Sequence, residues 1–170
     1  FSIIIGVYLS AMGVGSYLSR HIVKNIIPVF IKVELLIGIV GGFSATILFA
    51  IFEMAVYFRP VLYSLISVTG VMVGLEIPLI MRILKNRFEF KDLVSKIFTF
   101  DYIGALFASL LFPLVLVPYL GLIRSSFMFG IINVLVALWV LHLFRSEIKW
   151  PRGLATAGIM VLIVLTAGFV

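Results

Sequence analysis

Six apolar runs, each close to the length of a membrane-spanning helix, dominate this sequence. They occupy residues 1–19, 33–58, 61–81, 97–121, 125–144 and 153–170. A spanning helix needs about 20 mostly apolar residues, and these runs lack the alternation of a barrel strand. Hydrophobic residues make up 64% of the chain and charged residues 12%, which leaves too little polar material to cover a soluble core. The sequence therefore predicts an all-α, polytopic transmembrane helix bundle of about six spans, with residues 1–170 as a single transmembrane domain.

The basic residues are distributed unevenly among the links between these runs. Eleven of the 13 Lys and Arg lie in the links 20–32, 82–96 and 145–152, and the other two are Arg59 and Arg124. Because Lys and Arg concentrate in cytoplasmic loops, we expect the three basic links in the cytoplasm and both chain ends outside. The net charge of +6 then reflects topology and lipid head groups rather than nucleic-acid binding. We expect a protein of a prokaryotic cytoplasmic membrane, with the lipid bilayer as its partner.

Small residues recur within the first two runs and favour close helix packing over a pore or ligand groove. Gly38 and Gly42 are four positions apart, the spacing of helices that approach closely. Further small residues in these two runs include Gly6, Ser10, Gly13, Gly15, Gly41 and Ala45.

Three carboxylates are predicted to lie at membrane depth near the cytoplasmic side. Glu76 precedes Arg82 by six residues, which is about 9 Å of helix rise. Asp101 follows Lys96 by five residues, and Glu34 lies close to the first basic link. A charge at the centre of a bilayer costs about 2.5–3.5 kcal/mol, so such side chains usually face the bundle interior. We therefore predict that Glu76 and Asp101 face each other inside the bundle, with Glu34 more peripheral.

Two interpretations of these carboxylates stay open. In the first, Glu76 and Asp101 form ion pairs with Arg20, Arg82 or Lys96. In the second, they form a cytoplasm-facing acidic site for a polyamine, another cation or a proton. The interpretations are compatible if a ligand displaces a pairing residue.

A proline close to Glu76 bears on this choice. Pro78 has no backbone N–H and crowds the carbonyl of Gly74, so the sequence predicts a kink or loosened turn between them. A loosened backbone beside a carboxylate is how many transporters build cation sites, although such kinks also occur for packing alone.

Catalytic and metal-binding patterns are absent from the sequence. It has no Cys, no metal-ligand spacing and no nucleophile–His–acid set, and Gly13-Val14-Gly15 lacks the third glycine of a dinucleotide fingerprint. We predict no catalytic residue, no metal site and no cofactor within these 170 residues.

Four strings resemble the membrane region of the integral-membrane spermidine synthase-like proteins. They are GVYLSAMGVGSYLSR, VELLIGIVGGFSATILF, GVMVGLEIPLIMRIL and FDYIGALFASLLFPLVLVPYLGLIRSSFMFGIINVLVAL. The most specific pieces, GLEIPL and DYIGAL, contain Glu76 and Asp101.

The resemblance implies a membrane domain joined to a downstream Rossmann-like enzymatic domain. That domain transfers an aminopropyl group from decarboxylated S-adenosylmethionine to putrescine, and its nucleotide loop and catalytic aspartates have no counterpart here. We therefore expect a piece of a longer protein, which anchors an aminopropyltransferase and binds or passes polyamines through the acidic site. Two alternatives remain: an independent secondary transporter resembling part of a major-facilitator protein, and a purely structural membrane anchor.

Overall fold

Helices account for almost all of the computed structural model, which describes residues 2–170. Residue 1, the first residue of the predicted run 1–19, lies outside the described part. Within residues 2–170 there are no strands. The helices are α1 (Ser2–Leu18), α2 (Ile26–Ala50), α3 (Ala55–Leu84), α4 (Phe90–Leu111), α5 (Val117–Leu143) and α6 (Pro151–Phe169). Short 3₁₀ turns follow α1 and α5, and a π-helical turn, Phe112–Leu116, joins α4 to α5. The all-helical part of the prediction is confirmed.

The helix boundaries follow local chemistry. Pro151 begins α6, where its missing N–H leaves no intrahelical partner unsatisfied. Pro113 lies in the π-helical turn, one of the usual causes of a helix irregularity. Gly121 has φ +75° and ψ 174°, which is accessible to glycine and strained for other residues. The predicted apolar run 97–121 ends at the same residue.

The chain reverses direction around Gly121. The rings of Phe112 and Phe129 are 6.1 Å apart, although an uninterrupted helix would separate these positions by about 25 Å. The segments before and after Gly121 therefore fold back on each other.

The number of candidate membrane spans in the described chain differs from the predicted six. By length and composition, five helices in the described chain are long and apolar enough to cross a membrane. The predicted run 97–121 and all but the last residue of the run 125–144 fall inside one helical stretch, Phe90–Leu143. The difference arises because backbone hydrogen bonding continues almost unbroken through the reversal. A hydropathy profile instead counts two runs of spanning length.

The centre of the bundle is α2, which packs along α5 and also contacts α3 and α6. Gly38 and Gly42 lie against Gly130 of α5, so close that a Cβ on Gly38 would meet the Gly130 carbonyl at 2.9 Å. The predicted packing role of this glycine pair is confirmed. Two apolar clusters flank α2, one shared with α5 and α6 around Phe127 and the other shared with α3 around Leu79.

A second close crossing joins α1 to α3. A Cβ on Gly15 would overlap the backbone of Val71, and a Cβ on Gly74 would overlap the backbone of Met12. The predicted loosening near Pro78 is not found as a break, because α3 runs from Ala55 to Leu84 without a non-helical residue. The packing of α1 on Gly74 supports the helix where Pro78 cannot donate a hydrogen bond, as neighbouring helices commonly do.

The three basic links lie together at one end of the bundle. The Arg82 guanidinium donates hydrogen bonds to the carbonyls of Ser19 and Ile22 at 2.7 and 3.1 Å, and so joins the end of α3 to the α1–α2 link. Arg87 and Glu147 form an ion pair at 3.4 Å between the other two links. Eleven of the 13 Lys and Arg therefore share this end.

Candidate functional site

One ionisable side chain from each of the first four helices contributes to an acidic cluster, defined here as Tyr8, Glu34, Glu76 and Asp101. The charges of Glu34 and Asp101 both act on Glu76, and those of Glu76 and Asp101 act on the Tyr8 hydroxyl. Of the three carboxylates named from the sequence, Glu34 and Glu76 lie on the packed helices α2 and α3, and Asp101 lies on α4.

Glu34 is the most deeply buried carboxylate of the cluster, with only 5% of its surface exposed. It lies on the same stripe of α2 as Phe30 and Ile37, at the four- and three-residue spacings that share a helix face. Phe30 and Ile37 belong to the apolar cluster shared with α3. The packing that buries this stripe therefore turns Glu34 toward α3 and Glu76. The expectation that Glu34 would be the peripheral member is wrong.

Glu76 owes its position to the glycine-lined crossing of α1 and α3. The backbone of Tyr8 contacts Gly70, and the backbone of Met12 contacts Gly74, so α1 lies directly on this part of α3. Glu76 follows Gly74 by two residues and is half-buried. The close crossing places the Tyr8 ring on the acidic cluster.

Asp101 occupies a different environment. It is exposed on α4, the least packed helix, whose one buried residue is Leu93 among the residues described. The predicted enclosure of Asp101 in the bundle interior is therefore wrong in this chain, although its charge still reaches Glu76. The reason is that α4 packs little against α3, and its only buried residue among those described is Leu93.

The basic residues considered as partners for the acidic cluster are engaged elsewhere. Arg82 bonds to backbone carbonyls, Arg20 lies over the ring of Tyr17 and donates to its hydroxyl, and Lys96 lies 4.6 Å from the Phe88 ring. Throughout residues 2–170, the one ion pair joins Arg87 to Glu147. The ion-pair interpretation of Glu76 and Asp101 is thus not realised in the contacts described.

The carboxylates of the acidic cluster are spread over three helices. In the part of the chain described, no three acidic or imidazole side chains lie close enough to hold a metal. Phe30 and Ile37, the neighbours of Glu34 on its face of α2, are buried in the apolar cluster shared with α3.

Tyr8 is the member of the cluster that the sequence analysis missed. It shares a face of α1 with Ala11 and Gly15, the two buried residues of that helix, at three- and seven-residue spacings. That shared face was the available signal. It indicates which side of α1 meets another helix, but not that a carboxylate lies opposite.

The homologues of this chain are polyamine aminopropyltransferases. The sequence is 50% identical over 172 residues to a polyamine aminopropyltransferase of Leptospira interrogans. It is 49% identical over 176 residues to polyamine aminopropyltransferase 2 of Ralstonia nicotianae, and 34% identical over 176 residues to a polyamine aminopropyltransferase of Oceanobacillus iheyensis.

Each of these alignments covers 99% of this chain but only 33–34% of the relative. The chain therefore spans about a third of the length of the curated relatives it matches. No family model matches the sequence. No solved structure matches it either.

Proposed function

We propose that this chain is the membrane domain of a spermidine synthase-like polyamine aminopropyltransferase, which it anchors, and that its acidic cluster binds a cationic polyamine. The observation that carries the proposal is the clustering of three carboxylates from three helices. In the chain as described, none of them has a cationic partner, and Glu34 is 5% exposed. The buried Glu34 is costly to ionise without a counter-charge, and a bound cation would offset that cost.

The dimensions and surface of the bundle support a membrane location. The 25 residues of α2 correspond to about 37 Å of helix, enough to cross a hydrocarbon core of about 30 Å. Large apolar side chains cover the exterior, and Phe107, Trp139 and Ile163 are each at least 60% exposed. A surface of this kind is stable in lipid and would associate in water.

The names of the relatives support a polyamine as the bound cation. Aminopropyl transfer itself is assigned by this proposal to parts of the whole protein outside these 170 residues. The contribution of this chain is to hold a polyamine near the basic, proposed cytoplasmic end, since Glu76 lies about 9 Å of helix rise from Arg82. Anchoring and binding or passage of the amine are then combined in one domain.

The test is spermidine binding by the whole protein in neutral detergent, comparing wild type with Glu76→Gln. We expect the substitution to weaken binding by about tenfold or more, because a charge-assisted hydrogen bond contributes about 1.5–3 kcal/mol. Thermal stability should be kept, since Glu76 has no ion-pair partner among the described residues that the substitution would leave buried and unpaired.

The matched control is Glu53→Gln, which removes an exposed carboxylate between α2 and α3 at the other end of the bundle. Its affinity for spermidine should equal that of the wild type. Equal binding by wild type and Glu76→Gln, or no binding by the wild type, contradicts the polyamine site.

A further inference from the structure

A cavity of about 860 Å³ opens at the basic end of the bundle, separate from the acidic cluster. It lies between the start of α2, the end of α3 and the start of α6. We call it the basic cavity, defined by its lining cations Lys24, Lys32, Arg82, Lys85 and Lys149.

The charge of the basic cavity is strongly unbalanced. Five cationic side chains line it, and Glu147 is the one acidic residue among the lining residues described. Glu147 is already paired with Arg87, and Arg82 is held by backbone carbonyls. The four lysines make no hydrogen bond to other residues within 2–170 and are exposed at the cavity. Mutual repulsion of four free ammonium groups favours an anion that brings them together.

The walls of the basic cavity add an apolar component. Ile26, Ile83 and Leu154 line it together with the lysines, and Trp150 is 80% exposed at its edge. Tryptophan with one side apolar and the other wet is typical of the boundary between lipid and water. The cavity therefore offers positive charge directly beside an apolar surface.

The backbone also adds positive electrostatic potential at the basic cavity. Both α2 and α6 begin at the cavity, and in the described chain neither start has a side-chain cap. The free N–H groups and positive ends of these helices reinforce the lysines but would not define a site without them.

We propose that the basic cavity binds a phosphate group, supplied by the head group of an anionic phospholipid or by a free phosphate. The lysines provide the charge, and the apolar wall beside them matches the first carbons of an acyl chain. Basic pockets between spanning helices on the cytoplasmic side commonly bind such head groups. The lipid source rests on the proposed membrane location, whereas the phosphate chemistry does not.

The experiment uses the whole protein in neutral detergent. Trp139→Phe leaves Trp150 as the one tryptophan of this domain and therefore as its fluorophore. A matching protein that also carries Trp150→Phe measures the fluorescence of any tryptophans outside this domain, which is subtracted. Brominated phosphatidylglycerol is the probe, and brominated phosphatidylcholine with the same chains is its zwitterionic control. We expect saturable quenching of Trp150 by phosphatidylglycerol and much weaker quenching by phosphatidylcholine. Lys32→Gln with Lys149→Gln should weaken the affinity by about 10- to 30-fold, the effect of two basic residues at an anionic head group.

Two further measurements decide the source and the specificity. If millimolar inorganic phosphate displaces the brominated lipid, a free phosphate is the ligand; if it does not, the head group is. The matched control is Lys91→Gln with Lys96→Gln, which removes two lysines of the same end from α4, outside the cavity. Equal quenching by the two lipids, an unchanged affinity in the Lys32/Lys149 variant, or an equal loss in the Lys91/Lys96 variant would each overturn the proposal.

Discussion

At the scale of single residues, what lies opposite a glycine decides its role. The sequence marks Gly13 and Gly15 of α1 alike as packing residues. In the structure a Cβ on Gly15 would overlap the Val71 backbone, whereas one on Gly13 would meet nothing within 4 Å. A backbone atom cannot rotate away as a side chain can, so the close approach of α1 and α3 depends on Gly15. This approach also places Tyr8 on the helix that packs against the one carrying Glu76.

The substitutions Gly15→Ala and Gly13→Ala, two positions apart on α1, test whether only the glycine that lies against backbone is required. Gly15→Ala should destabilise the bundle by about 1–3 kcal/mol, the usual cost of overpacking. Gly13→Ala should leave stability unchanged or slightly raised, because alanine favours a helix. Thermal unfolding of both variants in detergent measures the effect, and equal midpoints would show that α1 and α3 do not cross at Gly15.

At the scale of helices, the stretch from α4 to α5 illustrates what hydropathy can and cannot reveal. Two apolar runs and a boundary at Gly121 are legible in the sequence. Helical hydrogen bonding continues through a π-helical turn to within a few residues of the reversal. The sequence does not reveal this continuation, because it depends on local backbone geometry. The exposure of Asp101 has the same origin, since the path of α4 after Leu93 is set by this connection.

Gly121→Ala tests the reversal. No atom lies within 4 Å of the position of a Cβ at Gly121, so any penalty comes from the positive φ alone. We expect a loss of about 1–3 kcal/mol in the free energy of unfolding, the cost of holding a non-glycine residue in such a conformation. Gly104→Ala, an open position within α4, is the control and should cost nothing. Equal stability of the two variants would mean that the chain does not turn at Gly121.

At the scale of the whole molecule, the sequence predicted the helical class and the close packing of Gly38 and Gly42, and it named the three carboxylates of the acidic cluster. Charge counting also grouped three links, and the structure joins them through Arg82 and the Arg87–Glu147 pair. The burial of two of these carboxylates was predicted wrongly. Glu34 is buried and Asp101 is exposed, the reverse of the expectation. Distance from a basic link gives depth along the membrane normal but no information on which way a helix faces.

Because the three basic links lie at one end of the bundle, we predict that this end faces the cytoplasm. The sequence contains no Cys, so a single introduced cysteine reports on one position without background from this domain. Asn86→Cys and Ser146→Cys place exposed thiols at the basic end, and Glu53→Cys places one at the opposite end. In intact cells a membrane-impermeant maleimide should label Glu53→Cys and leave the other two unlabelled until the membrane is permeabilised. This follows because Lys and Arg are retained in the cytoplasm during insertion, and eleven of 13 lie at one end. Labelling of Asn86→Cys and Ser146→Cys from outside, with Glu53→Cys protected, would contradict this orientation and show that the basic cavity faces the outside.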